Sequence, residues 1–453
     1  MADPDLTLLY DFARNKSLAA SQGLGPTLTC VRAGVATVVN GAGFIENVAA
    51  NIPRFDFDPA TGRSLGLLVE ESRENICLQS EDLGTTWSEF QARDNADTLN
   101  VAVAPDGTTT ADRIIDDSGG GTGSVLVAQT ITTAVDTAYT FSCFLKAEQL
   151  DWAYLEVNSM AAQALSAYFD LTDGAVGATV GGDVTSTFIE DIGNGWFRCG
   201  LTFTSDGADT SAGYQIWPAD DNNDKTVARD GTSSILAWGA QLEAGAFPTS
   251  YIPTTTTSEL RDRDFVNTTD VGWYDQNVGT MYFAFTAGQD VGTSSVDQGA
   301  IFGLYEANNS YITAGQGTGG INADDIAFYW LDTGADQAYI NTTNVVVTNT
   351  LQRGAMAWAE NDFATSFIGA AVKTDSSGTI PGPITELRIG ADPSGVNLEL
   401  NGHIAEIRYY NVRMDNQFLE DLSNGLISED GLGFTRDLSR PLARNLARSI
   451  TGA

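Results

Sequence analysis

Apolar and polar residues alternate with a period of two along most of this chain, in short runs separated by Gly, Asp, Asn and Thr. The runs SVLVAQTITT, AYTFSCFLKA, DWAYLEVN, SAYFDLTDG, GWFRCGLTFT, AGYQIWPA and ILAWGAQLE all fall within residues 76–258. Period two sends successive side chains to opposite faces of a strand, so each run predicts a strand with one face in a core. Their spacing, with turn residues between them, predicts two antiparallel sheets packed as a jelly roll. A second series, GTMYFAFTAG, AIFGLYE, IAFYWLD and NGHIAEIRYYN, predicts another sandwich over 265–425, closed by a short helix at DNQFLEDLS. The fold class is therefore all-β: two tandem antiparallel sandwiches, with a small N-terminal lead-in and a short C-terminal helical tail.

The lead-in, residues 1–75, has one clear apolar strand, LGLLVE, and too little periodic material for a large core of its own, so a small β-rich module is expected. PTTTTSELRDRD at 253–264 reads as a polar link between domains. Residues 426–453 differ in kind. Leu442, Leu446 and Ile450 recur every fourth residue, as do Arg436, Arg440, Arg444 and Arg448. That spacing predicts a short helix with an apolar stripe beside a basic one. Such a helix is too short to be stable alone. It is read as an attachment segment, with Arg440, Leu442, Arg444, Leu446, Arg448 and Ile450 as its contact residues.

Charge and composition narrow the function. A formal net charge of −36 over 453 residues opposes binding to nucleic acid or anionic lipid. No apolar run approaches the length of a membrane span, and MADPDLTLLYDFARNKSL lacks the organisation of a secretory signal, so a soluble chain made without Sec export is expected. The four cysteines, Cys30, Cys77, Cys143 and Cys199, lie far apart with no CxxC pair, which argues against zinc and suits buried free thiols. The single histidine, His403, sits in a predicted strand and reads as a strand-surface residue, which removes His-dependent nucleophilic catalysis.

Several of these blocks carry a resemblance. PRFDFDPATG, LGLLVEESRENICLQSEDL, APDGTTTADRI, YTFSCFLKA, GNGWFRCGLTFT and WGAQLEAGAFPTSYIPTT together resemble a carbohydrate-binding jelly-roll module of tailed-phage fibres and of the head spikes of gene transfer agents. The resemblance spans about residues 1–258. GTMYFAFT and LNGHIAEIRYYNVRMDNQFLEDLS resemble the laminin-G/concanavalin-A-like sandwich that phage adhesins also carry. The lead-in departs from the jelly-roll module's pattern at Cys30 and Cys77, and the Arg-rich tail belongs to neither family. The resemblance implies a virion surface protein, assembled in the bacterial cytoplasm, that meets host polysaccharide and other capsid or tail proteins. It also implies a homo-oligomer, with a trimer favoured.

Splitting each strand by its alternation locates the candidate binding residues. Ala153, Leu155 and Val157 read as core, leaving Trp152, Tyr154 and Glu156 outside. Phe197, Cys199, Leu201 and Phe203 leave Trp196 and Arg198 outside. Phe169 and Leu171 leave Tyr168 outside, and Tyr214 and Ile216 leave Gln215 and Trp217 outside. In ILAWGAQLE, Leu236, Trp238 and Leu242 are expected inside and Gln241 outside. Aromatic planes stack on sugar rings while amides and charges take their hydroxyls, so this outer set suits a glycan groove.

No cofactor is expected. Asp220, Asp221 and Asp224 in PADDNNDKT are of the ligand type calcium takes, but their spacing fits no EF-hand and favours a solvated acidic turn. A glycosidase needs only two carboxylates. The nearest approach to the E-x-D-x-x-E pattern of concanavalin-like glycosidases is ENDFAT at 360–365, which ends in Thr365 rather than Glu, so no catalysis is expected. GGGTGS at 119–124 has no following Lys and reads as a turn. The expected function is non-covalent binding of host surface polysaccharide by a virion adhesin. A structural decoration or connector, and a capsule-degrading glycosidase, are the competing readings.

Overall fold

The computed structural model describes residues 6–427 apart from 24, 93–97, 159–164, 208–209, 289–298, 307–309, 317–324 and 392–398. The regular secondary structure of the described residues is almost entirely strand, with short helices at Phe12–Asn15 and Asn416–Ser423. The second helix is the one DNQFLEDLS predicts. Asp415 caps it, its carboxylate accepting from the Phe418 N–H at 2.8 Å, and Leu419 and Leu422 are buried beneath it. The candidate attachment residues, Arg440 to Ile450, lie outside the described residues.

The jelly roll has a five-stranded and a six-stranded sheet. The first runs in the order Asp112–Ile115, Ser234–Ala244, Ala138–Ala147, Trp196–Thr204, Val184–Gly193. The second runs Ala175–Val180, Leu165–Asp170, Trp152–Asn158, Ser211–Ala219, Leu126–Thr132, Ser88–Phe90. Ala153, Leu155, Val157, Phe169, Cys199, Leu201, Phe203, Tyr214 and Ile216 meet between them, as the alternation predicts. Each large apolar side chain buried there contributes about 1.5–3 kcal/mol.

The strand Ser234–Ala244 departs from the prediction. Its ladder with Ala138–Ala147 slips between Ser142 and Phe144, opposite Gly239, which has φ +66°. A glycine in the left-handed region fits the first position of a bulge, and a Cβ there would lie 2.8 Å from the Phe144 ring. The extra residue switches the facing of the strand. Ile235, Ala237, Ala240 and Leu242 enter the core, while Leu236 and Trp238 turn to the opposite face. Leu242 is inside as expected; Leu236 and Trp238 are not, because a bulge breaks strict alternation.

The second sandwich draws on both ends of the chain. One sheet centres on Gly402–Tyr410, flanked by Gly279–Ala287 and, on its other edge, by Leu8–Asp11 and Ser64–Val69. The facing sheet runs from Ala335–Val345 through Glu386–Ile389 and Phe265–Thr268 to Thr29–Val31. Leu8, Tyr10, Leu28, Leu67 and Val69 share one core with Phe283, Phe302, Trp330 and Ile407. The lead-in strands thus complete this sandwich instead of forming a separate module; only Ala36–Val39 and Ile45–Val48 pair with each other alone. The physical reason is the one visible in sequence: too little apolar surface to close a core unaided. The jelly roll is inserted into this sandwich, and its entry strand Arg73–Asn75 pairs with its exit strand Glu259–Arg261.

That junction is dense and charged. Arg32 pairs with Asp264 at 2.7 Å and Arg54 with Glu70 at 2.8 Å, while Arg54 also reaches Asp264 and Arg261 reaches Glu70. All five side chains are at most 7 % exposed. Ser250 donates to Glu70 through both its N–H and its hydroxyl, each at 2.7 Å. Burial alone would raise the Glu70 carboxyl, but Arg261 and Arg54 hold it well below the usual carboxylate range. The segment 253–264, expected as a separating link, therefore ends in two buried charges that lock the domains together.

Candidate functional site

The outward residues of the six-stranded sheet come together as the sequence suggests. Trp152, Tyr154, Tyr168 and Trp217 form one cluster with Leu126 and Ala219. The Tyr154 and Tyr168 rings are 4.5 Å apart, and Trp217 meets Tyr154 edge-on at 5.7 Å. Antiparallel pairing dictates this: Tyr154 stands opposite both Tyr168 and Trp217 on its neighbouring strands, where cross-strand side chains meet.

Lys225 closes over the cluster. Its ammonium lies 4.2 Å from the Trp217 ring centroid, 4.8 Å from that of Tyr154, and 2.7 Å from the Glu156 carboxylate. The Tyr154 hydroxyl donates to the same carboxylate at 2.6 Å, and the Trp217 indole N–H donates to Gln215 at 3.1 Å. Burial, and the bond to Glu156, raise the Tyr154 phenol. Tyr154, Tyr168 and Trp217 keep only 4–6 % of their surface exposed. Trp152 and Gln215 are half-buried and remain reachable. Room for the Trp152 indole comes from Gly177, where a Cβ would lie 2.7 Å from the ring.

The remaining expected residues belong elsewhere. Trp196, Arg198 and Gln241 lie on the outer face of the five-stranded sheet, with Trp238, and this face is covered. Ile45 of the lead-in, Ala104 and Ala111 of the 101–111 loop, and Tyr251 pack onto it. The Trp196 indole donates to the Val103 carbonyl and that of Trp238 to the Thr110 hydroxyl, each at 3.1 Å. Gln241, fully buried, donates to Glu243 at 2.8 Å and accepts from the Ile252 N–H at 2.7 Å. Trp238 packs against Tyr251 with ring centroids 4.7 Å apart and planes tilted by 48°, and the Tyr251 hydroxyl meets Ser80 at 2.7 Å. The tryptophan and glutamine of ILAWGAQLEAGAFPTSYIP therefore clamp the tyrosine loop that closes the domain.

The acidic loop is a self-contained turn. Asp220 and Asp221 donate backbone N–H bonds to the Asp224 carbonyl, and the Asp224 carboxylate accepts from the Thr226 N–H and hydroxyl. Asn222 accepts from the Ala178 N–H, which draws the loop over the aromatic cluster. No group of three potential metal ligands gathers among the described residues. Glu360 and Asp362 flank the tight turn at Asn361, between Gln352–Ala359 and Asp362–Phe367, and Asp362 pairs with Arg413 at 2.8 Å. All four cysteines are buried and free. Burial pushes the thiols up, Cys30 to about 11 and Cys143 to about 12, so they carry little thiolate. His403 is not on an open strand surface. It is largely buried, with Nε2 2.8 Å from the Asp56 carboxylate, beside a cleft between the two sandwiches.

No family model and no curated protein matches this sequence. Solved structures do overlap with it in part. The CBM40 module of a Ruminococcus gnavus IT-sialidase bound to α2,3-sialyllactose aligns at 11 % identity over 33 % of this chain and 83 % of that one, with a TM-score of 0.27. Domains LG4-5 of the mouse laminin α1 chain align at 8 % identity over 72 % of this chain and 95 % of theirs, with a TM-score of 0.26. The binding domain of botulinum neurotoxin serotype D gives 14 % identity, 37 % and 40 % coverage and a TM-score of 0.27. No ligand or residue is carried over from these partial likenesses.

Proposed function

We propose that this chain binds host surface polysaccharide non-covalently, as a virion adhesin of the head-spike or tail-fibre kind that its sequence resembles. The binding platform is the outer face of the jelly roll's six-stranded sheet. The observation that supports this reading is the half-exposed Trp152 indole at the margin of an aromatic cluster whose charges are already fixed. A sugar ring would stack on Trp152, while Gln215 and the Lys225 ammonium, held by Glu156, would meet its hydroxyls. Tyr154, Tyr168 and Trp217 then act as the rigid bed of the platform, not as its contact surface. Each site would be weak, and multiple copies on a particle would supply avidity. The chain is proposed to be non-hydrolytic.

A glycan array followed by titration of the hits tests the reading. Trp152→Ala and Gln215→Ala should each weaken binding severalfold without lowering the melting temperature, since stacking and single hydrogen bonds are each worth about 0.5–1.5 kcal/mol. An array with no hits would leave the structural-connector reading standing, and binding that survives both substitutions would put the site away from this face. Release of oligosaccharides on prolonged incubation with a bound polysaccharide would establish a glycosidase instead.

A further inference from the structure

A cleft of about 400 Å³ separates the jelly roll from the second sandwich, at the small end of the range for small-molecule sites. Three distant parts of the chain line it: the lead-in, the five-stranded sheet of the jelly roll, and the strand that carries His403. Its polar groups are unusually incomplete. Arg198 is 7 % exposed and uses Nη1 on the Thr249 carbonyl and Nη2 on the Ser142 hydroxyl, but its buried Nε has no hydrogen-bond partner. His403 is held through Nε2 by Asp56, whose other oxygen accepts from the Val39 N–H at 2.7 Å, yet its buried Nδ1 also lacks a partner. Glu190, opposite Arg198 across the ladder, lines the same cleft, and burial raises its carboxyl. Phe57, Leu65, Leu68 and Ile192 supply an apolar wall.

Buried polar groups without partners are costly, so a site that keeps them is built for something that satisfies them. The partnerless groups are the Nε–H donor of Arg198 and Nδ1 of His403, whose Nε2 bonds to Asp56; the Glu190 carboxyl, only half-buried, adds a third polar group to the lining. Hydroxyls both donate and accept, and so match all three. Asp56, Asp58, Glu190 and Asp191 outnumber Arg63 and Arg198 in the lining, which disfavours an anion, and a cation would leave the Arg198 N–H opposed. An apolar wall beside hydroxyl-matching groups suits the C–H face of a pyranose ring. We propose that this interdomain cleft is a second binding site, for a single neutral hexose or N-acetylhexosamine unit at the end of a glycan. It is independent of the outer face and stands whether or not that face binds.

The test uses the full chain and the methyl glycosides of glucose, galactose, mannose and N-acetylglucosamine. Because His403 is the only histidine in the sequence, its imidazole NMR resonances report on the cleft alone. At least one glycoside should shift them saturably in the millimolar range. Glu190→Gln, which keeps shape, and Leu65→Trp, which fills the cleft, should each weaken that binding about tenfold or more. Trp152→Ala should leave it unchanged. Melting of Glu190→Gln at the wild-type temperature would show that it folds, so the result does not depend on Leu65→Trp. The proposal fails if no glycoside moves the His403 signals at tens of millimolar, or if binding persists in Glu190→Gln. It also fails if only Trp152→Ala abolishes binding, an outcome that would support the outer-face platform while removing the cleft.

Discussion

The two outer faces of the jelly roll carry nearly the same residues and meet opposite fates. The five-stranded sheet presents Trp196, Trp238, Arg198 and Gln241; the six-stranded sheet presents Trp152, Trp217, Tyr154 and Gln215. The first set is buried beneath the lead-in, the 101–111 loop and Tyr251. The second is closed mainly by one lysine from its own loop, and its margin stays open at Trp152. An aromatic and polar face is therefore not itself a sign of ligand binding. The indole N–H groups on the covered face are spent on chain carbonyls and hydroxyls, whereas Trp152 keeps solvent access.

The largest expected effect breaks the junction that holds the cover in place. Asp264→Ala would leave Arg32 buried without its carboxylate and Arg54 with Glu70 alone, at a cost of about 3–5 kcal/mol. Calorimetry should show a large fall in melting temperature, and limited proteolysis should cut between the two sandwiches. An unchanged melting temperature would mean that the domains do not depend on one another. Trp238→Ala on the covered face should cost a similar 3–5 kcal/mol through the cavity left against Phe144 and Tyr251.

Acid should act on the charged junction. The Glu70 carboxyl is held below its unfolded value, so its ionised form contributes stability that is fully present above an unfolded pKa of about 4.3. That contribution is lost as the pH falls below this value towards the depressed folded one. Melting temperature should thus drop steeply on acidification in the wild type and less steeply in Glu70→Gln. Equal slopes would show that the network does not set the acid limit.

On the open face the effects are smaller. Lys225→Met removes a partly exposed ion pair and two ring contacts, worth about 1 kcal/mol together. It should increase quenching of tryptophan fluorescence without unfolding the domain. Trp152→Ala should change stability by no more than about 0.5 kcal/mol. A loss as large as that of Trp238→Ala would make Trp152 a structural residue and erase the contrast between the faces.

Much of this architecture was legible along the chain. The strands of the jelly roll and their core residues, Leu155, Phe169, Leu201 and Tyr214 among them, follow from period two alone. Period two also put Trp152, Tyr154, Tyr168, Gln215 and Trp217 outside the core, but in one set with Trp196, Arg198 and Gln241; only the strand order separates the two faces. The reversal at Trp238 was not legible, although Gly239 within an otherwise regular strand is the one local sign of a bulge. Nor was the assignment of His403, whose partner Asp56 lies 347 residues away.

Alternation by itself determined most of the side chains that enter the jelly-roll core, since the period belongs to the strand and needs no partner; it failed where Gly239 makes a bulge. Only the tertiary structure decided what the outward side chains then meet. The cover over Trp196 and Gln241, the salt-bridged junction of Arg54 with Asp264, and the cleft around Glu190 and His403 all join segments far apart in sequence. Such contacts depend on where the chain ends of one sandwich close around the other, and no local pattern encodes that.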